Sequence, residues 1–176
     1  MKSIKELRAT LSFHPQDVNS SIKYFAEHCN LDFDVYLPTK GMNLQRGFVW
    51  TIDQKRELIW STLMKRHIPR MAILNVTNSA KDTEGVYQVI DGKQRLSAMI
   101  DFYKNLYTLE IDGKEYLFSE LPEEYQRAIA GFMFSYSIVN EDYEERFTDE
   151  DKISWFRYIN FAGTPQDAEH LKQLSK

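Results

Sequence analysis

The chain of 176 residues has one cysteine, Cys29, and no apolar run long enough to span a membrane. A single cysteine excludes an internal disulfide, so the sequence gives no argument for secretion. A bilayer-spanning helix needs about 20 apolar residues, and the N-terminus also lacks the apolar segment of a signal peptide. We therefore expect a soluble cytoplasmic protein without a membrane partner.

The sequence also has fewer basic residues than acidic ones. The 22 Lys and Arg residues are outnumbered by 26 Asp and Glu residues, which gives a formal net charge of −4. The broad basic surface of a non-specific nucleic-acid binder is therefore missing, although a local basic patch stays possible. A hydrophobic content of 43% and an aromatic content of 14% are typical of a globular protein with one core.

The common catalytic motifs are missing as well. The four histidines are scattered without the spacing of a zinc site, and no G-x-S-x-G nucleophile elbow is present. Gly85 and Gly92-Lys93 imitate a P-loop, but the spacer is too long and too apolar. Gln94 also stands where a P-loop has the Ser or Thr that binds magnesium, so we reject this reading.

Hydrophobic spacing predicts an α+β fold with a small mixed sheet and flanking helices. A β-hairpin over 106–118, with Asp112-Gly113 at its turn, follows the sheet. We expect residues 1–105 to form the core and 106–176 to form the hairpin and a helical C-terminal extension of the same domain. The predicted helices are 2–12, 17–29, 51–66, 93–103, 122–131, 148–163 and 164–176, and the predicted strands are 32–37, 71–76, 86–90 and 132–139. Thr51 and Gln54 predict a capping box at the start of the 51–66 helix, and residues 78–85 predict a polar loop.

The most informative motif is Asp91-Gly92-Lys93-Gln94-Arg95, between a predicted strand and a predicted helix. Gly92 permits the tight turn, so the motif would lie at a helix N-terminus, where free N–H groups and the dipole favour an anion. Lys93 and Arg95 add two cations, and we interpret the motif as a phosphate-recognising turn. The structural alternative is that Asp91 caps the helix or forms an i,i+4 ion pair with Arg95.

A second polar island, Gln45-Arg46, lies in an apolar segment that ends at Trp50. A charge in such a segment is costly to bury unless it is paired. Either Arg46 extends to solvent, or Gln45 and Arg46 join the Asp91 turn around one anion. Trp50 is in turn either a core aromatic or a wall that stacks on a nucleobase.

Together these segments resemble a known family. The N-terminal domain of the GmrSD-type modification-dependent restriction systems has similar motifs in the same order, including D-G-Q-Q-R. Its ParB/sulfiredoxin-like superfamily implies the same α+β class, and the resemblance spans about residues 30–166. The segments that carry the resemblance are Leu44-Gln45-Arg46-Gly47-Phe48-Val49-Trp50, Ile68-Pro69, 89–96 and 156–165.

The resemblance implies nucleotide handling, because related domains bind and hydrolyse nucleoside triphosphates to control DNA cleavage in anti-phage defence. It implies a possible Mg²⁺-dependent NTPase in which Asp91 holds the metal or orients water, Gln94 orients the nucleophile or a phosphate oxygen, and Arg95 neutralises charge. The residues expected to bind the nucleotide are Gln45, Arg46, Trp50, Gly92, Lys93 and Arg95.

Three departures from the family pattern shape the expectation. Lys93 replaces the first Gln of the family motif and adds a charge, and Asn43-Leu44 replaces the usual Pro-x before Gln45. The chain ends before any HNH nuclease domain, so we expect no nuclease activity from this chain alone. It is then either a subunit that works with a separate nuclease partner protein, a phage-encoded decoy or a regulatory nucleotide binder. Two further function classes stay open: a ParB-like DNA-binding or nicking domain, and a non-catalytic interaction module whose last helix docks a partner.

Overall fold

The computed structural model describes residues 14–76, 85–141 and 146–161. The predictions over 2–12, over 164–176 and for most of the polar loop after Val76 lie outside these residues. The helices are α1 (Ile22–His28), α2 (Ile52–Leu63), α3 (Lys93–Tyr103), α4 (Glu123–Ala130) and α5 (Asp149–Phe161). The strands are β1 (Gln16–Ser21), β2 (Asn30–Asp32), β3 (Tyr36–Leu37), β4 (Met42–Asn43), β5 (Met71–Val76), β6 (Val86–Asp91), β7 (Leu109–Ile111), β8 (Lys114–Tyr116) and β9 (Met133–Asn140).

A mixed five-stranded sheet organises the fold, with the strand order β1-β9-β5-β6-β2. Strand β9 pairs antiparallel with β1 and parallel with β5, while β6 pairs antiparallel with β5 and parallel with β2. Two small ribbons, β3-β4 and β7-β8, stand apart from this sheet. The predicted α+β class is therefore confirmed.

Hydrophobic residues cover both faces of the central sheet. Neighbouring residues on a strand point to opposite faces, so Val89 and Ile90 of β6 enter two different clusters. The Val89 cluster contains residues of α1, α2, α3 and α4, and the Ile90 cluster contains residues of α5, among them the fully buried Trp155. Strand β6 is thus held between two apolar layers, and its C-terminal end is fixed firmly in space.

Several local signals were interpreted correctly. Thr51 and Gln54 form the predicted capping box at the start of α2. Asp112 and Gly113 have φ values of 51° and 75°, as a type I′ hairpin turn requires. The strand–turn–helix from Val86 to Tyr103 has the predicted bounds to within one residue.

The helix predicted over 17–29 is wrong in its first half. Residues Gln16–Ser21 form β1, and the helix begins only after Ser21, whose hydroxyl accepts the N–H of Tyr24. Strand β1 is an edge strand whose polar side chains bond across to β9, where Ser137 donates to Asp17 at 2.9 Å. Val18 is 36% exposed, so the apolar spacing that suggested a helix does not serve the core here.

The single strand predicted over 32–37 is also wrong. Asp32 ends β2, and its carboxylate accepts the backbone N–H groups of Asp34 and Val35 at 3.0 Å each. This Asx turn holds Val35 at a φ of 44°, and the chain resumes as the separate strand β3. Helix α2 in turn ends at Leu63, short of the predicted 66, and Lys65 follows at a φ of 53°.

Candidate functional site

Gly92 forms the corner between the central sheet and α3. Its φ is 103°, in the left-handed region that glycine adopts at little cost. A Cβ atom at this position would lie 2.6 Å from the side chain of Met71, so the corner has no room for a larger residue. The N-terminus of α3 is therefore held against β5, with Gly92 as its N-cap.

Asp91 and Arg95 form a shielded ion pair at this corner. The Arg95 guanidinium donates to the Asp91 carboxylate at 2.7 Å and to the carbonyl of Pro69 at 2.6 Å. The two side chains are only 14% and 15% exposed. Burial raises the pKa of Asp91, while the Arg95 charge and the N–H of Gly92 oppose that rise. The i,i+4 pair is thus present, whereas Asp91 is not the helix cap.

Gln94 clamps the segment that contains Arg46. Its side-chain oxygen accepts the N–H groups of Val49 at 3.0 Å and Trp50 at 3.2 Å, and its nitrogen donates to the carbonyl of Gly47 at 3.1 Å. Both ends of the amide are therefore occupied by backbone groups. In this arrangement Gln94 positions the 47–50 segment.

Gln45 and Arg46 have different environments. Gln45 is half-buried and donates to the carbonyl of Val89 on β6, next to the Asp91 corner. Arg46 is exposed, and within the described part of the chain its guanidinium has no hydrogen bond or ion pair. The sequence left two alternatives for Arg46, extension to solvent or a place at the Asp91 turn. In the structure its side chain is exposed and lies beside the N-terminus of α3.

Lys93 forms an ion pair with another residue of the protein. Its side chain is only 9% exposed, and its ammonium group donates to the carboxylate of Asp34 at 2.8 Å. Much of its charge is therefore neutralised by the loop between β2 and β3. The cations of this corner are thus unequal: Lys93 and Arg95 have protein partners, and Arg46 is available to a ligand.

These side chains surround one polar cleft of about 180 Å³. The Gln45-Arg46 and Asp91–Arg95 segments, which are at least 45 residues apart in the chain, meet at this cleft. The residues that line the cleft are those that the sequence predicted to form one site. The roles of these residues in nucleotide binding or catalysis stay predictions. The residues that line the polar cleft are Gln45, Arg46, Trp50, Asp91, Gly92, Lys93, Gln94 and Arg95.

A second cleft of about 490 Å³ adjoins the first, and we refer to it as the Trp50 cleft. Trp50 and Arg95 line both cavities. The sequence interpretation missed the other lining residues, although the helical spacing of Gln54, Leu58 and Ser61 would have placed them on one face of α2. The opposite wall includes Ile68 and Pro69.

The metal-binding capacity of the site is limited. No group of three or more His, Cys, Asp or Glu side chains that could hold a metal ion occurs within 14–76, 85–141 or 146–161. The polar cleft contributes one carboxylate, Asp91. Mg²⁺ is commonly bound through one or two carboxylates plus substrate phosphates, so this donor set fits an ion that arrives with a polyphosphate.

Comparison with known protein families identifies the family of the chain. The family model described as the N-terminal domain of the GmrSD restriction endonuclease matches residues 37–175. No curated protein and no solved structure gives a significant match. The matched region contains both polar islands and both clefts. Among the described residues, no helix combines the length and the apolar character needed to cross a bilayer.

Proposed function

The chain belongs to the family of GmrSD restriction endonuclease N-terminal domains, and from this premise we propose that it binds a nucleoside triphosphate in the polar cleft. Its setting would be a restriction system directed against foreign DNA. The observation that supports this proposal most strongly is Arg46, an exposed guanidinium without a described protein partner that lines the same cleft as the N-terminus of α3.

The polar cleft offers three kinds of anion-binding group. The first turn of α3 has N–H groups without helical partners, and the helix dipole adds partial positive charge. Arg95 uses only some of its five N–H donors on Asp91 and Pro69. Arg46 adds an exposed guanidinium that can form bidentate contacts with phosphate oxygens.

The size of the polar cleft supports binding of the phosphates alone within it. Sites for small ligands enclose about 300–1,000 Å³, and this cleft encloses about 180 Å³. A triphosphate chain would therefore occupy the cleft while the rest of the nucleotide extends beyond it.

We propose Mg²⁺ as the accompanying ion, with Asp91 as the nearest carboxylate. When bound, the ion would neutralise phosphate charge and align the terminal phosphate. Asp91 and Arg95 would fix one another in position, and Gln94 would hold the segment that contains Arg46. Hydrolysis through Asp91, Gln94 and Arg95 is part of this proposal, with Gln94 acting through that segment.

Isothermal titration with each of the four Mg²⁺–NTPs tests the proposal. Wild type should bind at least one of them, and Arg46→Ala should weaken that binding by about tenfold or more, since a hydrogen bond to a charged group contributes about 1.5–3 kcal/mol. The matched control is Arg127→Ala, which removes an exposed arginine of α4 that pairs with Glu123. Failure of wild type to bind any NTP would overturn the proposal.

DNA binding is a second candidate, favoured by one feature of the surface. Phe48, Val49 and Ile52 are 38%, 54% and 43% exposed and follow Arg46 closely in the chain. A DNA backbone phosphate at Arg46 would place these apolar side chains against sugar or base. DNA affinity should fall steeply with salt, whereas affinity for a nucleotide in a pocket should fall much less. Under either candidate we propose a nuclease partner, which the family setting supports.

A further inference from the structure

We infer that the Trp50 cleft is the subsite for the base and ribose of the nucleotide whose phosphates occupy the polar cleft. The inference rests on the proposed function and adds to it a second, separately testable part of the binding site. Its starting observation is that Trp50 and Arg95 line both cavities. The two cavities therefore adjoin at these two side chains, and the inference requires that one ligand reach from the first into the second past them.

The two cavities differ in size and polarity in the same way as the nucleoside and the phosphates of a nucleotide. The polar cleft of about 180 Å³ surrounds the charged turn, and the Trp50 cleft of about 490 Å³ has mostly apolar walls. A nucleoside has more apolar surface than a triphosphate and, unlike a triphosphate, carries no charge. The larger, less charged cavity therefore suits the nucleoside, and the smaller one suits the phosphates.

The walls of the Trp50 cleft have the chemistry that a base requires. Trp50 presents an aromatic ring that can stack on any nucleobase, and Leu58 with Ile68 and Pro69 provide further apolar surface. Ser61 adds a hydroxyl group that can donate or accept.

Further polar groups lie along the same helix face. Gln54 uses its side-chain oxygen in the α2 capping box, which leaves its side-chain nitrogen to donate. The Glu57 carboxylate can accept a hydrogen bond, and the Arg66 guanidinium pairs with it at 2.6 Å. These groups can contact the hydrogen-bonding edge of a base while the ring of Trp50 contacts its face.

Trp50 is also held in place before any ligand binds. Its backbone N–H donates to Gln94, which stands in the first turn of α3 at the polar cleft. The backbone that carries the stacking ring is therefore tied to the turn that would bind the phosphates. Such preorganisation reduces the entropy lost on binding.

Titration with two ligands tests the inference: the tightest-binding Mg²⁺–NTP and inorganic Mg²⁺–tripolyphosphate, which has no base or ribose. Wild type should bind the nucleotide at least about fivefold tighter, because stacking of one base on an aromatic side chain contributes about 1–3 kcal/mol. Trp50→Ala should remove most of this difference, so that its affinity for the nucleotide falls much more than its affinity for tripolyphosphate.

Two further variants complete the design. Ser61→Leu, which places a larger side chain in the Trp50 cleft without altering the 47–50 segment, should reproduce the loss and covers the case in which Trp50→Ala fails to fold. Trp60→Ala is the matched control for Trp50→Ala, because Trp60 lies on α2, as Ser61 does, but lines a different groove. Nucleotide quenching of tryptophan fluorescence should persist in Trp60→Ala and disappear in Trp50→Ala.

The outcomes separate this inference from the proposed function. Equal wild-type affinity for tripolyphosphate and nucleotide would overturn the base subsite and leave phosphate binding intact. An equal weakening of both ligands by Trp50→Ala, with Ser61→Leu unchanged, would overturn it as well. Binding of neither ligand to wild type would overturn both.

Discussion

The side-chain oxygen of Gln94 accepts the backbone N–H of Trp50 at 3.2 Å, although the two residues are 44 positions apart in the chain. This hydrogen bond joins the Asp91–Arg95 turn to the segment that contains Arg46. The candidate site is therefore a turn and a segment held together by the amide of Gln94 and by that of Gln45, which donates to the carbonyl of Val89 next to the turn.

Replacing Gln94 by alanine should release the 47–50 segment. Three hydrogen bonds to Gly47, Val49 and Trp50 are lost, and we expect unfolding free energy to fall by roughly 1–3 kcal/mol. Trypsin should then cleave after Arg46 faster than in wild type. The control is Gln126→Ala, which removes an amide that bonds backbone carbonyls near Leu121. Unchanged cleavage at Arg46 would contradict the clamp.

Substitution of Gly92 by alanine should destabilise the fold. The residue has a φ of 103°, and a Cβ atom would approach Met71 to 2.6 Å. Left-handed strain alone costs about 1–3 kcal/mol. Urea denaturation should show a lower midpoint, whereas Gly47→Ala, with open space around its Cβ position, should leave the midpoint nearly unchanged. Equal midpoints for the two variants would contradict the steric account.

Lys93→Gln, which restores the residue of the family motif, should change nucleotide affinity by less than about threefold, because Lys93 is already paired with Asp34. Arg46→Ala should lose much more. Asp34→Ala should lower stability more than Lys93→Gln, since it leaves the 9%-exposed ammonium group unpaired. Titration calorimetry and thermal denaturation measure the two effects. A large affinity loss in Lys93→Gln would show that Lys93 contacts the ligand.

The stability of the corner should depend on the ionisation of Asp91. Burial raises its pKa in the folded chain above the ordinary value near 3.9. The corresponding stabilisation is present below pH about 3.9 and is lost as pH rises through the folded pKa. Wild type should therefore lose stability relative to Asp91→Asn over this window in denaturant titrations. The opposite trend would show that the Arg95 charge outweighs burial.

Cys29 should react slowly with alkylating reagents. Burial raises the pKa of its thiol to about 11, so little thiolate is present at neutral pH. The rate of iodoacetamide labelling at pH 8 should be at least about tenfold lower in the folded chain than in the same chain unfolded in urea. Equal rates would mean that the thiol is not shielded.

The sequence predicted the structure best where the determining signals are local. The strand–turn–helix around Gly92, the Asp112-Gly113 hairpin and the Thr51 capping box each depend on residues within a few positions of one another. Strand β1 was misread because its partner β9 lies 116 residues away at the Asn19–Ser135 contact. Its run of polar residues can be recognised as a strand only once that pairing is known.

The same division applies to the site. The resemblance to the family predicted which side chains surround the polar cleft, whereas the residues alone left Arg46 either extended to solvent or joined to the Asp91 turn. Neither revealed that Lys93 pairs with Asp34 or that Gln94 binds the backbone of 47–50. Such contacts depend on how loops from distant segments pack, for which one sequence contains no local signal.

The most direct test of the central claim is a crystal structure of the chain with Mg²⁺ and a non-hydrolysable analogue of the preferred NTP. We predict phosphate oxygens within hydrogen-bonding distance of both the Arg46 guanidinium and the backbone N–H groups at the start of α3. A triphosphate bound elsewhere, or one that contacts the α3 turn while Arg46 points away, would contradict the account.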